Sequence, residues 1–186
     1  KLNREKKFKL IHCRSYIPAL IGLHLKNNYQ IPFLFDMRGF WVDEKVDGNI
    51  WNMNNPLFRF IFRFMKKKEK VFFRTADTIV SLTKKAIPTI NSISNSGDIS
   101  KKIKVNPCCV DVRHFDRANV STEMREHWKS KLNIHSNDYI LSYLGSLSTW
   151  YLPEEMLRFF LRFKIQVPHA KFLIITTEDA QPFIKM

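Results

Sequence analysis

Behind Pro32 the chain runs Phe33-Leu34-Phe35, three large apolar residues in a row, then breaks into an acid, a base and a glycine: Asp36, Arg38 and Gly39. An apolar run this short, bounded by proline and glycine, reads as a buried strand. Phe40, Trp41, Asp43 and Glu44 follow it. A buried strand that stops at a charged, glycine-bearing turn places functional groups at the carboxyl end of a sheet. In open α/β sheets that edge is where ligands bind. The plainer use of the same residues is an ion pair between Asp36 and Arg38, or a helix cap.

The pattern recurs along the chain. Residues 9–14 read as a strand ending at His12 and Arg14, and Ser15 as the cap of a helix over 16–27. Ile17, Leu20, Ile21, Leu23 and Leu25 supply that helix with a broad apolar face. With the next strand over 31–35, this makes a βαβ unit. Residues 43–55 are polar and read as a loop over the sheet edge. Pro56 then opens a long helix to about residue 76. Its Arg59, Arg63, Lys66, Lys67, Lys70 and Arg74 recur at helical spacing as a basic stripe, with Phe60, Ile61, Phe64, Met65, Val71 and Phe72 as the apolar complement. Such a helix can lie on an anionic membrane or simply pack its apolar side on a core. A third strand over 77–83 carries Ser81 and Thr83 at its end. A helix from Lys84, a polar loop over 91–102 and a short strand over 103–105 follow. Beyond a polar segment and a short helix over 122–132, the pattern restarts: a strand over 139–144, the turn Gly145-Ser146-Leu147-Ser148, a helix over 153–167 and a strand over 170–176.

Charge and cysteine content narrow the partners and the setting. A net charge of +14 in 186 residues calls for an acidic partner, whether nucleic acid, an anionic membrane or a phosphorylated small molecule, or else serves solubility with no partner at all. Nucleic acid fits poorly, because the aromatics lie in apolar runs and no zinc-finger, helix-turn-helix or RNP pattern occurs. Three cysteines, two of them adjacent at Cys108 and Cys109, make no disulfide framework, and no Cys-x-x-Cys pair offers zinc a site. A reducing, cytoplasmic setting is expected. No apolar run reaches the ~18 residues of a membrane span.

The polar groups at the strand ends, His12 and Arg14, then Asp36, Arg38 and Gly39, then Ser81 and Thr83, share one edge if the sheet is parallel. His12 there is a candidate general base or hydroxyl partner, and equally a structural histidine. Gly145 and Ser146 follow a strand where a backbone can approach a phosphate, though one glycine is also what a plain turn needs. No Asp-x-Asp occurs, so a metal-held diphosphate is not indicated and no metal or cofactor is expected.

Taken in order, IHCRSYIPALIG, FLFDMRGFWVDE, EKVFFRTADTIVSLT, KIKVNPCCVDVRHF and YLGSLSTWYLPEEML resemble the family 4-type glycosyltransferases, retaining enzymes of the two-Rossmann GT-B fold. The segment NPCCVDVRHF is similar to that family's hinge, with Cys108 and Cys109 where Asn-Gly is usual. The resemblance implies an α/β, GT-B-like chain: the carboxyl half of an acceptor-side Rossmann domain over 1–112, a linker over 113–138 and the start of a donor domain over 139–186. It also implies metal-independent sugar transfer from a nucleotide-sugar donor to a sugar or lipid-linked acceptor, in cell-surface polysaccharide or glycolipid synthesis. Asp36 and Arg38 would be the catalytic residues, near the donor sugar and acceptor, His12 and Arg14 would shape the acceptor side, with Gly39 and Thr83 as further substrate contacts, and Gly145 and Ser146 would face the pyrophosphate. Asp111 would belong to the hinge. The location implied is cytoplasmic and peripheral, on the inner face of the membrane. The family's basic pair and Glu-x7-Glu segment are absent from these residues, so the 186-residue chain alone is expected to be inactive. Two rivals stand beside this reading: a non-catalytic basic module that binds an anionic membrane or acidic partner, and another GT-B enzyme such as a sugar-phosphate epimerase.

Overall fold

The structure is a computed structural model that describes residues 8–147 and 151–181. Two compact units divide the chain, Lys1–Cys109 and Val110–Met186. In the first, β1 (Ile11–Arg14), α1 (Tyr16–Tyr29), β2 (Phe33–Asp36), α2 (Trp41–Asp47), α3 (Pro56–Thr75), β3 (Thr78–Ser81), α4 (Ile87–Ser94) and β4 (Ile103–Val105) follow one another. The four strands are parallel and stand in chain order, β1-β2-β3-β4, with Arg14 opposite Asp36 and Asp36 opposite Val80. Right-handed crossovers between strands taken in this order put every helix on one face. Cys13, Phe33, Phe35, Ile79 and Ile103 supply that face and are buried, while His12 and Arg14, alternating with them, are exposed.

Phe35 is the centre of this core. Its ring lies 5.4 Å from Tyr16, 5.2 Å from Phe72 and 6.0 Å from Phe73, which ties β2 to α1 and α3. Burying each such side chain contributes about 1.5–3 kcal/mol. Gly22 lets α1 come down on the sheet: a Cβ there would stand 2.6 Å from Cys13 Sγ and 2.7 Å from Phe33.

Polar groups finish the element ends. Asn55 caps α3 by accepting from Leu57 N at 2.9 Å, and Pro56 occupies the first turn. At the other end, Lys102 donates to the carbonyls of Arg74 (2.8 Å) and Ala76 (3.0 Å). Asp77 accepts from Phe33 N at 2.7 Å and from Lys26 Nζ at 2.7 Å, fixing the start of β2. Burial works against the Asp77 carboxylate, but these hydrogen bonds prevail and hold its pKa below the ordinary aspartate value.

Several expectations are corrected. Residues 43–55 are not all loop: α2 takes their first part. Its sequence, Trp-Val-Asp-Glu-Lys-Val-Asp, is polar enough to read as loop; one buried side chain, Val42, and acids in the first turn suffice for a helix this short. The buried face of α1 is Tyr16, Ala19, Gly22 and Leu23, whereas Ile17 and Ile21 are exposed. The face is set by Gly22, where the helix comes too close to Cys13 and Phe33 for a Cβ; Tyr16, Ala19 and Leu23 lie on the same side. Ser15 stands at the N-cap with φ +71° and makes no side-chain cap bond. The expected loop from residue 91 begins later, because α4 runs to Ser94. Asn91 then reaches from the helix to Ile99 N (3.1 Å) and the Ser100 hydroxyl (3.0 Å).

The second unit contains α5 (Thr122–Lys131), β5 (Tyr139–Leu144), α6 (Pro153–Gln166) and β6 (Ala170–Ile175), with β5 and β6 parallel. α5 lies inside the stretch expected as a linker, capped by Ser121, whose hydroxyl accepts from Met124 N at 3.2 Å. Two strands bury little: Leu147 and Ala170 are the buried apolar residues described here. Leu161, Ile165 and Leu144 are exposed, and an apolar hollow of about 580 Å³ opens beside Ile140, Phe160 and Phe172. Among the described residues no helix is long and apolar enough to cross a membrane.

Candidate functional site

The turn from β2 into α2 is built around one strained residue. Gly39 N donates to the Met37 carbonyl at 2.8 Å across Arg38, whose φ is +65°. A two-residue hydrogen bond around a positive φ is the strained form of the γ-turn. It buries Met37 and leaves the Arg38 side chain exposed. Gly39 lies against the carboxylate end of the exposed Glu44 side chain.

This turn, α2 and the end of β3 line an open cavity of about 330 Å³. Arg38 and Gly39 meet Thr83 there, joined by Asp43, Glu44, Asp47 and Thr89. One cation, three carboxylates and hydroxyls around a space of this size supply donors and acceptors for a polyhydroxylated ligand. Ser81 Oγ serves the wall instead: it donates to the Thr83 carbonyl at 3.1 Å and accepts from Thr83 N at 3.4 Å. Thr83 Oγ1 accepts from Lys85 N at 3.3 Å, capping the turn Lys84–Ala86.

A buried polar network holds the α2 wall. Glu69 of α3 is fully buried. Its Oε1 accepts from the Tyr16 hydroxyl at 2.5 Å, and its Oε2 pairs with Lys66 Nζ at 2.6 Å. Lys66 also donates to Asp43 at 2.9 Å, so a cavity carboxylate is tied through Lys66 to the core. Burial, and then the Glu69 charge, push the Tyr16 phenol far above the ordinary range, so it remains a donor. Burial works against the Lys66 ammonium, but its hydrogen bonds to Glu69 and Asp43 outweigh that and raise its pKa.

The other expected residues lie elsewhere. Asp36 pairs with His12, Nε2 to Oδ2 at 3.5 Å, and not with Arg38. Arg14 stands opposite Asp36 in register. These side chains alternate with the buried set, on the face turned away from the helices, so the strand-end residues form two groups rather than one cleft wall. Gly145 and Ser146 belong to the second unit. There the Tyr143 phenol donates to the Ser146 carbonyl at 2.6 Å, and a Cβ on Gly145 would lie 2.7 Å from that hydroxyl. Gly145 N donates to Ile175 O at 3.1 Å, and Leu147 N donates to the Glu178 carboxylate at 2.9 Å. Ser148 of this turn lies outside the described residues. Among the described residues, no three of His, Cys, Asp and Glu gather where they could hold a metal ion.

Sequence reasoning missed Asp47, Thr89 and the Tyr16–Glu69–Lys66 network. One signal was available: Glu69 is the single acid in the Arg- and Lys-rich helix. Nothing local marked Tyr16 as its partner, 53 residues away.

No protein-family profile matches the chain, and no curated protein sequence does. Solved structures do match. The crystal structure of Anabaena HepE in complex with UDP-glucose is similar over 95% of this chain and 50% of that one, at 11% identity and a TM-score of 0.51. HepE in complex with UDP and glucose matches over the same shares at 10% identity and a TM-score of 0.54. A glycosyltransferase from Rickettsia africae ESF-5 covers 95% of this chain and 49% of its own, at 15% identity and a TM-score of 0.49. The chain therefore spans about half the length of the structures it matches. What it shares with HepE at this identity is a fold: an α/β, GT-B-like arrangement of a partial Rossmann-type parallel sheet followed by the beginning of a second.

Proposed function

We propose that the protein is a retaining, family 4-type glycosyltransferase. It moves a sugar from a nucleotide-activated donor to a sugar or lipid-linked acceptor, without a metal, in the assembly of cell-surface polysaccharide or glycolipid. Its working place is the cytoplasmic face of the membrane. The observation that carries this reading is the fold shared over 95% of the chain with a structure solved with UDP-glucose bound. Residues 1–112 are the acceptor-side domain, 113–138 the linker and 139–186 the start of the donor domain. Arg38, Gly39 and Thr83, in the cavity at the sheet's carboxyl edge, contact the sugars. His12, Arg14 and Asp36 bind on the opposite face of the same edge. Gly145 and Ser146 approach the pyrophosphate, whose oxygens replace the Glu178 carboxylate at Leu147 N.

Incubating the protein, with its flanking sequence, with UDP-sugars and extracted lipid acceptors tests this. Transfer with retained anomeric configuration is expected, unchanged by EDTA and reduced by about 100-fold in Arg38→Ala, the scale of losing one charge-stabilising group. The 186-residue chain alone is expected to transfer nothing. Failure of the longer protein either to bind a nucleotide sugar or to transfer one would end this reading.

A further inference from the structure

The outward face of α3 has a composition that neither the core nor the cavity uses. Leu57, Phe60 and Phe64, spaced three and four apart, share one stripe and are 61%, 69% and 42% exposed. The side buried beneath them is Met65, Glu69, Phe72 and Phe73. Arg59, Arg63 and Lys67, each four apart, form a parallel basic ridge beside the apolar stripe. Lys68 closes the other flank, its ammonium 5.6 Å from the Phe64 ring centroid.

The structure also sorts the basic residues of this helix. Lys66 is committed to Glu69 and Asp43, and Arg74 donates to the carbonyls of Ser94 and Asn95 at 2.7 and 3.2 Å. Arg59 donates to the Met53 carbonyl at 3.2 Å. Arg63 and Lys67 have no ion-pair partner among the described residues and face outward. Exposed aromatics beside uncommitted cations, on a 20-residue helix whose opposite side is anchored in a core, match the interface between acyl chains and anionic headgroups. At such an interface aromatic side chains enter the acyl boundary while long cationic side chains stay at phosphate level.

We propose that this face of α3, through Leu57, Phe60, Phe64, Arg63 and Lys67, docks the protein on an anionic phospholipid bilayer. The surface stands without the transferase reading, because its test measures no transfer. Acidic protein surfaces share the charge but offer no acyl layer for three exposed apolar side chains.

The test is sedimentation of the chain with vesicles of phosphatidylcholine alone or mixed with phosphatidylglycerol. Binding is expected only to the mixed vesicles and is expected to fall in high salt. Arg63→Glu with Lys67→Glu, and separately Phe60→Ser with Phe64→Ser, should each reduce partitioning by about tenfold or more. Arg113→Glu with Arg117→Glu, exposed charges of the second unit, should leave it nearly unchanged. All four positions on α3 are at the surface, and circular dichroism confirms that the variants fold. In a Cys108→Ser, Cys109→Ser background, an environment-sensitive dye on Phe60→Cys should shift to the blue on the mixed vesicles. Three results would overturn the proposal: no binding, equal loss from the Arg113 and Arg117 changes, or a Phe60- and Phe64-dependent self-association in place of vesicle binding.

Discussion

Arg38 holds a backbone angle that glycine would adopt without strain. Left-handed φ costs a residue with a Cβ about 1 kcal/mol, and here the turn places a guanidinium at the mouth of a cavity in return. Arg38→Gly should therefore leave thermal stability unchanged or raise it by up to about 1 kcal/mol, less the glycine's larger unfolded-state entropy. Arg38→Ala keeps the strain and should not stabilise. Both should lose ligand affinity alike, so melting curves and binding isotherms separate the two roles. Gly39→Ala tests the neighbouring position: the exposed end of the Glu44 side chain need only swing aside, so the same melting curves should show a change within about 0.5 kcal/mol. In the sequence Arg38 and Gly39 stood out because a base and a glycine interrupt an apolar run. His12 and Asp36 stood out equally, but their pairing with each other was hidden, because strand alternation and register together decide which strand-end side chains share a face.

The Tyr16–Glu69–Lys66–Asp43 network joins α1, α3 and α2, and its cost and benefit are set by burial. Lys66→Met removes the counter-charge of a fully buried carboxylate and should cost about 3–5 kcal/mol. Tyr16→Phe removes one charge-assisted hydrogen bond and should cost about 1.5–3 kcal/mol. Both Tyr16 and Lys66 have folded pKa values above their ordinary 10.0 and 10.5. Each group keeps its proton in the folded state after the unfolded chain has released it, so stability is full below about pH 10 and falls as pH rises beyond it. Denaturant midpoints measured from pH 8 to 11 should show that fall, and Tyr16→Phe should flatten it. In the second unit, Glu178 competes with any phosphate at Leu147 N. Glu178→Gln should strengthen nucleoside-diphosphate binding by removing like charge, and calorimetric titration would show no gain if the turn is not the phosphate site. At this scale the long helix was legible from Pro56 and its periodicity. The helix α2 was not, because one buried side chain leaves almost no periodic signal.

The two units differ in how much they bury, and that difference is measurable. The first packs an aromatic core from Tyr16, Phe33, Phe35, Phe72 and Phe73, all at 0% exposure. The second leaves much of its apolar surface open on a two-stranded sheet. Amides of β2 and β3 should therefore exchange only through global unfolding. Those of β5 and β6 should exchange by local opening at least ~100-fold faster. Hydrogen exchange read by mass spectrometry decides this, and equal protection of the two sheets would contradict it.

Local chemistry was enough to write down the kinds of elements and their order. Apolar runs of strand length, helical periodicity, and proline and glycine at the boundaries all act within about a dozen residues. Connections of helix length between strands imply a parallel sheet. Tertiary structure alone decided which side of α1 is buried, because only the close approach allowed by Gly22 turns Ala19 inward and Ile17 outward. It alone joined Tyr16 to Glu69 across 53 residues and separated His12 and Asp36 from the cavity at Arg38. Those contacts depend on crossover handedness, register and packing distance, which are properties of the assembled sheet rather than of any one segment.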